Sequence, residues 1–510
     1  MSGETSPLLA EHPPRVRTPT DHVDQSEPDE AVQQKHPLFP NALIVILIIV
    51  LVADIGGSMI GIPEIRLLEM AVCRDYYRKH DPSVIGGPPL SYVDEKLCKL
   101  KEIQTSLAYL RATRNLIGTI PGKNRILLTF PYGYLSDAIG RKLVVFLALF
   151  GQILSVFALM AICYFHETFS TNVTLAAPLF QIIGGGNRVM IASLNSIVVD
   201  TAPAKFRPTI FYAIGAWIFI TEIIMVPVGS QLLLKDLWLP FKIATPFLLA
   251  SLVLVVALPE THVPQKLETQ DNADDMSPTN QPKDQSMVRV MLQKAANKLK
   301  QALKGLKIPA KGPRVCLSII FLAVFARQST HLFAQYASKV LDWPIAKAGY
   351  VLSAKSFVGL VLLVVLAGIS SLLSRQDGTA SLRMNKRVVL VSLLASLIGS
   401  VLLGMSRDTA TLIIGSIFDS VGLGIGQSLQ GILASFADPA STGELFAGAA
   451  LIELLAGLSG NFAFAGFFDL GLKSKLSGEI GLPYFVAALL YVVAVIQSFS
   501  LPLTGVGHET

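Results

Sequence analysis

Eight ionisable side chains, Asp54, Lys123, Arg125, Arg188, Glu222, Arg327, Asp419 and Glu453, each fall well inside a long apolar run. A charge there costs at least about 2.5 kcal/mol on insertion scales unless it is paired, wetted by a cavity or put to use. Counted at about 1.5 Å per residue from the run ends, all eight lie about 15–20 Å deep, and Lys355 reaches nearly the same level. The residue types suit two tasks. Lys123, Arg125 and Arg188 can hold an anionic group facing a cavity, and Asp54, Glu222, Asp419 and Glu453 can carry a proton whose affinity changes with the surroundings. Glu222 and Asp54 rank first among the carboxylates. Each residue also has a plainer reading. Lys123 and Arg125 either face a cavity, pair with Asp54 or mark a misplaced helix end; Arg188, after Gly184-Gly-Gly-Asn187, either contacts a ligand or pairs with Glu222. His331, one turn beyond Arg327, either titrates or serves as a fixed donor. No His, Cys and Ser set at catalytic or metal-ligating spacing accompanies them, so no enzyme, metal site or cofactor is expected.

Holding these groups at one depth requires elements that cross a bilayer. The chain has 510 residues, 52% hydrophobic and only 15% charged, and a mean hydropathy of +0.55, which is more apolar surface than a soluble domain can bury. A spanning helix takes about 20 apolar residues, and roughly twelve runs of that length occur. They lie near 41–63, 116–135, 143–165, 175–199, 209–233, 241–258, 315–337, 346–373, 388–405, 409–436, 444–470 and 483–501. The expectation is an all-α membrane protein with a Pro- and acid-rich disordered cytosolic tail at 1–40, a six-helix bundle at 41–258, a linker at 259–313 and a second six-helix bundle at 314–510. Within the linker, Val288, Leu292, Leu299, Leu303 and Leu306 alternate with Lys294, Lys298, Lys300 and Lys304 at helical spacing, the pattern of a basic amphipathic helix lying on the inner leaflet.

The net charge of +6 does not point to nucleic acid, because the basic residues scatter over loops instead of clustering with aromatics. A cytosolic bias of Lys and Arg accounts for them if both termini are cytosolic. The segment 66–114 would be a basic loop on the far side, an exception that long translocated loops allow. Cys73 and Cys98 share that loop, where oxidising conditions favour a bridge over the cavity mouth; the alternative is two free thiols. Asn172-Val-Thr174 is a glycosylation sequon in the next external loop. The first forty residues hold no apolar signal core, which leaves the first helix as the insertion signal. Glu4-Thr-Ser-Pro-Leu8-Leu9 has an acidic-dileucine pattern that sorting adaptors read, yet the plasma membrane is favoured over the vacuolar one.

One stretch carries a family resemblance. Gly133-Tyr-Leu-Ser-Asp137-Ala-Ile-Gly140-Arg141-Lys142 sets two glycines, an acid and a basic pair between two apolar runs. It resembles the loop between the second and third helices of the major facilitator superfamily of secondary transporters. Asp200-x-x-Pro-x-x-Phe-Arg207-Pro resembles that family's turn between helices 4 and 5, while the second copy of the first motif is degraded around Leu372-Leu-Ser-Arg375. More narrowly, Pro63-Glu64, Glu69, Cys73-Arg74-Asp-Tyr-Tyr, Cys98-Lys, Gln104, Ile120-Pro-Gly and Pro131-Tyr-Gly133 resemble a fungal branch distantly similar to proton-coupled folate and haem-carrier transporters. Lys123 and Arg125 depart from the family, whose second helix is normally apolar there.

The resemblance implies twelve transmembrane helices in two six-helix pseudo-repeats, the major facilitator fold, working as a monomer by alternating access. It implies a conformational role for Gly133, Asp137, Gly140, Arg141 and Lys142, and partners that are a small-molecule substrate, protons and the lipid bilayer. The function expected is proton-coupled export of a metabolite or toxic compound from a fungal cell. The alternatives are proton-coupled uptake of an organic anion and a transporter-like nutrient sensor. Pro227-Val-Gly229 falls short of the Gly-Pro-x-x-Gly-Gly run associated with antiporters, so direction stays open.

Overall fold

The computed structural model describes residues 39–87, 90–119, 140–202, 207–258, 311–373, 378–436, 442–474 and 479–501, and these are helical with short connections. Eleven helices among the described residues are long and apolar enough to cross a membrane. The first half holds α1 (Phe39–His80), α2 (Lys101–Thr119), α3 (Arg141–Tyr164), a 3-10 stretch at Thr171–Gly184 leading into α4 (Gly186–Thr201), α5 (Arg207–Lys235) and α6 (Leu239–Ala257). The second holds α7 (Lys311–Arg327), a 3-10 turn at Gln328–Leu332, α8 (Phe333–Val340), α9 (Ile345–Leu373), α10 (Gly378–Met405), α11 (Thr409–Val421), α12 (Gly424–Ser435), α13 (Thr442–Lys473) and α14 (Leu482–Phe499).

In a bilayer, only structures that satisfy their own backbone groups survive, which is why the apolar runs become helices. Side chains then divide between lipid and protein. Val253, Leu489, Ile496 and Phe499 point outward and are strongly exposed, whereas Phe333, Tyr336, Phe464 and Tyr484 fill the core of the second half and Leu67, Ile103, Leu107 and Phe241 that of the first.

The first loop is shorter than its hydropathy suggests. Helix α1 runs through Pro63 to His80 and α2 begins at Lys101, so the connection is 81–100 and not 66–114. The reason is that the charges on these helix ends are buried against each other. Arg66 bonds Glu69 at 3.0 Å and Lys99 bonds Glu69 at 2.8 Å, so polar residues sit in protein where an apolar run could not be read. Cys73 and Cys98 are joined by a disulfide over this network, with Cα atoms 5.4 Å apart.

At the opposite end, the two halves repeat one contact. Lys142 Nζ donates to the carbonyl of Val256 at the end of α6, and Lys386 Nζ donates to that of Leu501 beyond α14, at 2.5 and 2.6 Å. A cation on a helix C-terminus is favoured by the helix dipole. Gly140, with φ 118°, starts α3 in a conformation that glycine alone takes without strain. Gly133 and Asp137 of the same motif lie outside the described residues.

Candidate functional site

A cavity of about 430 Å³ lies among α5, α7 and α9 to α14. Two of its walls are helices that break there. Arg327 ends α7 where the backbone tightens into a 3-10 turn, and Asp419 precedes the interruption at Gly422 between α11 and α12. Broken helices at depth are tolerated where they line a cavity, and they bring polar groups to it.

The charges in this cavity are of three kinds. Lys355 Nζ bonds Asp419 Oδ2 at 2.8 Å, with both side chains largely buried, and lies 5.4 Å from the ring centre of Phe333. Glu222 Oε2 accepts from Ser356 Oγ at 2.7 Å, a bond from the second half to the first, reinforced by Ser353 Oγ donating to the Ile223 carbonyl at 2.7 Å. Arg327 and Glu453 face the same space, and among the described residues neither has an ion-pair or side-chain hydrogen-bond partner. Phe219, Tyr491, Leu352 and Leu429 supply an apolar and aromatic wall.

Other residues singled out from sequence take different places. Asp54 on α1 adjoins Thr221 and Glu222 without lining the cavity, and its Oδ2 is buried with no hydrogen-bond partner. His331 belongs to a narrow gap with Arg111, Asn115, Gln328 and Asn461, and both Arg111 and Arg327 lie close to it. Lys123 and Arg125 lie outside the described residues, as does the side chain of Arg188 on α4. Asn172 is exposed, while Thr174 of its sequon is buried and donates to the Thr171 carbonyl at 2.6 Å.

Towards the disulfide, the cavity is sealed by bonds between the halves. Asn115 Nδ2 donates to Asn461 Oδ1 (3.4 Å), whose Nδ2 donates to Gln328 Oε1 (3.2 Å). Further out, Thr105 Oγ1 donates to Asp469 (2.7 Å), Gln335 Nε2 to the Gln104 carbonyl (2.6 Å) and Lys339 Nζ to the Lys99 carbonyl (2.8 Å). The first-half partners in these bonds come from the short stretch 99–115, and Glu95 just before it accepts the Ile345 amide at 2.7 Å. Sequence reasoning missed this seal, along with Arg111 and the pair Arg114–Glu64 at 2.9 Å. The available trace was the three-residue spacing of Arg111 with Arg114 and of Arg66 with Glu69, one helix face each, just beyond the apolar runs.

Comparison with known proteins places this geometry. The model of the Major Facilitator Superfamily matches residues 100–460. The chain is 29% identical to the MFS efflux pump atnC of Emericella nidulans over 98% of its own length and 93% of that protein's. It is 25% identical to the efflux pump ustT of Aspergillus flavus, with 84% and 82% covered. Among solved structures, the fold is similar to a D-xylose–proton symporter (TM-score 0.56, 15% identity, 89% of this chain and 97% of that one). It is also similar to the human organic anion transporter MFSD10 (TM-score 0.55, 17% identity, 91% and 100%).

Proposed function

Since this chain belongs to the Major Facilitator Superfamily and is thus a multi-pass membrane transporter of small molecules and not an enzyme, we propose that it exports an organic compound in exchange for protons by alternating access. In this reading the protein is a monomer in the plasma membrane, its two six-helix bundles are 41–258 and 314–510, and the disulfide end is external. The cavity then faces inward, and Asn172 is a glycan acceptor on the outside. Gly140, Arg141 and Lys142 act with Gly133 and Asp137 on the conformational cycle and not on ligand recognition.

One observation carries the coupling. Glu222 belongs to the first half, yet its hydrogen bond comes from Ser356 of the second. Rocking that parts α5 from α9 breaks that bond and leaves Glu222 beside Asp54 of its own half, the neighbour that favours its protonated form. A carboxylate whose surroundings change with conformation binds its proton differently in the two states, which is the linkage that an exchanger needs. The efflux pumps among its relatives support the outward direction.

Proteoliposomes holding the full chain, given an inside-acid gradient and a fungal metabolite extract, provide the test. The expected result is accumulation of at least one compound by mass spectrometry, abolished by a protonophore and by Glu222→Gln. Accumulation that requires the reverse gradient would establish uptake instead. Accumulation indifferent to the gradient and to Glu222→Gln would remove proton coupling through this residue.

A further inference from the structure

Arg327 and Glu453 are opposite charges in one cavity, and they do not bond each other. The remaining charges of the cavity are answered: Lys355 by Asp419, and Glu222 by Ser356. Leaving a lone cation and a lone anion at membrane depth is costly. Beyond Arg327, across His331, lies a second cation, Arg111, which also adds to the pull on an anion at that end of the cavity.

Building on the transporter reading, we propose that the ligand of this cavity is a zwitterion, its carboxylate or other anionic group bound by Arg327 and its protonated amine by Glu453, with an apolar or aromatic body against Phe219, Tyr491 and Leu352. A zwitterion answers both open charges at once. A singly charged ligand leaves one of them open, and a neutral one leaves both. A hydrogen bond to a charged group is worth enough that each unanswered end weakens binding about tenfold. The cavity of about 430 Å³ falls within the ordinary range for small-molecule pockets.

Four probes sharing an indole body separate the ends: tryptophan (zwitterion), N-acetyltryptophan (anion), tryptamine (cation) and N-acetyltryptophanamide (neutral). Binding to the purified full chain in nanodiscs is read by the shift in thermal unfolding across a concentration series. Tryptophan should bind about tenfold more tightly than either ion and more tightly still than the neutral compound. Arg327→Gln should bring tryptophan down to the level of tryptamine, and Glu453→Gln down to that of N-acetyltryptophan. Arg327→Lys and Glu453→Asp, which keep the charges, should retain part of the preference, and this shows that the Gln variants did not simply misfold. Equal binding by all four, no binding by any, or a preference that survives both Gln variants would overturn the proposal. Gradient-driven accumulation of an uncharged metabolite in the proteoliposome experiment would likewise reject the zwitterion and leave the transporter reading standing.

Discussion

Glu95 Oε1 accepts the backbone N–H of Ile345 at 2.7 Å, so a carboxylate of the first half caps the start of helix α9 in the second. A helix N-terminus offers unpaired amides and a positive dipole end, and an acid is the natural partner. Glu95 is itself held in place: its Oε1 also takes Lys99 Nζ at 3.0 Å, and Lys99 is held by buried Glu69 beneath the Cys73–Cys98 bridge. The disulfide therefore anchors a loop whose acid grips the other half.

Replacing Glu95 with Ala removes the partner of the Ile345 amide and should open the disulfide end. A charge-assisted bond of this kind contributes about 1.5–3 kcal/mol, enough to shift the balance of states about tenfold or more. Labelling of a cysteine introduced at Thr330, on the cavity wall, by an impermeant maleimide added from the disulfide side should speed up accordingly. Unchanged labelling would mean that Glu95 only fastens the loop.

Lys142 and Lys386 should be functional equivalents, because each caps the last helix of its own half. Changing either to Met is expected to slow turnover several-fold while leaving ligand affinity nearly as it was, since neither lines the cavity. Arg would restore part of the rate by keeping the cation at the helix end. A large loss of affinity at normal turnover would contradict this.

The Lys386 contact shows what the sequence could and could not convey. Around Leu372–Arg375 the second copy of the loop motif is unrecognisable, yet the lysine's role survives a few residues later, because the contact needs only a long cation within reach of a helix end. The apolar runs were legible since lipid imposes them, and Glu222, Arg327, Asp419 and Glu453 were legible as charges out of place. Arg111, Arg114 and Glu64 were not, because their helices extend past the apolar runs and Arg114 pairs with Glu64 within protein. Hydropathy measures what lipid tolerates and is blind to a pair formed between helices. Likewise, nothing in the chain's order could say that Ser356 would meet Glu222, or that His331 would leave the cavity for the neighbouring gap.

Asp408 supplies a pH dependence outside the membrane layer. Its carboxylate accepts from the backbone N–H of Thr411 at 2.8 Å and from its hydroxyl at 2.7 Å, capping α11, and these bonds hold its pKa below the usual range. A depressed folded-state pKa gives stability that is present above the unfolded value of about 3.9 and is lost as pH falls through the folded one. Asp408→Ala should therefore lower the unfolding temperature at pH 7, with the gap to the wild type closing below about pH 4. A gap that stays constant with pH would show that the carboxylate charge plays no part in the cap.

If the halves rock about the cavity under the control of Glu222, the two ends should move in opposite senses when pH changes. Spin labels at Ser106 on α2 and Leu470 on α13, both exposed beside the Thr105–Asp469 bond, report the disulfide end; labels at Leu143 on α3 and Arg387 on α10 report the opposite end. The remaining cysteines do not interfere, since Cys163 and Cys316 are buried and the other two are bridged. Pulsed electron spin resonance across a pH step from 8 to 5 should show one distance lengthening as the other shortens, with both responses lost in Glu222→Gln. Distances that stay fixed, that change in the same sense, or that respond equally in Glu222→Gln would rule out rocking governed by this carboxylate.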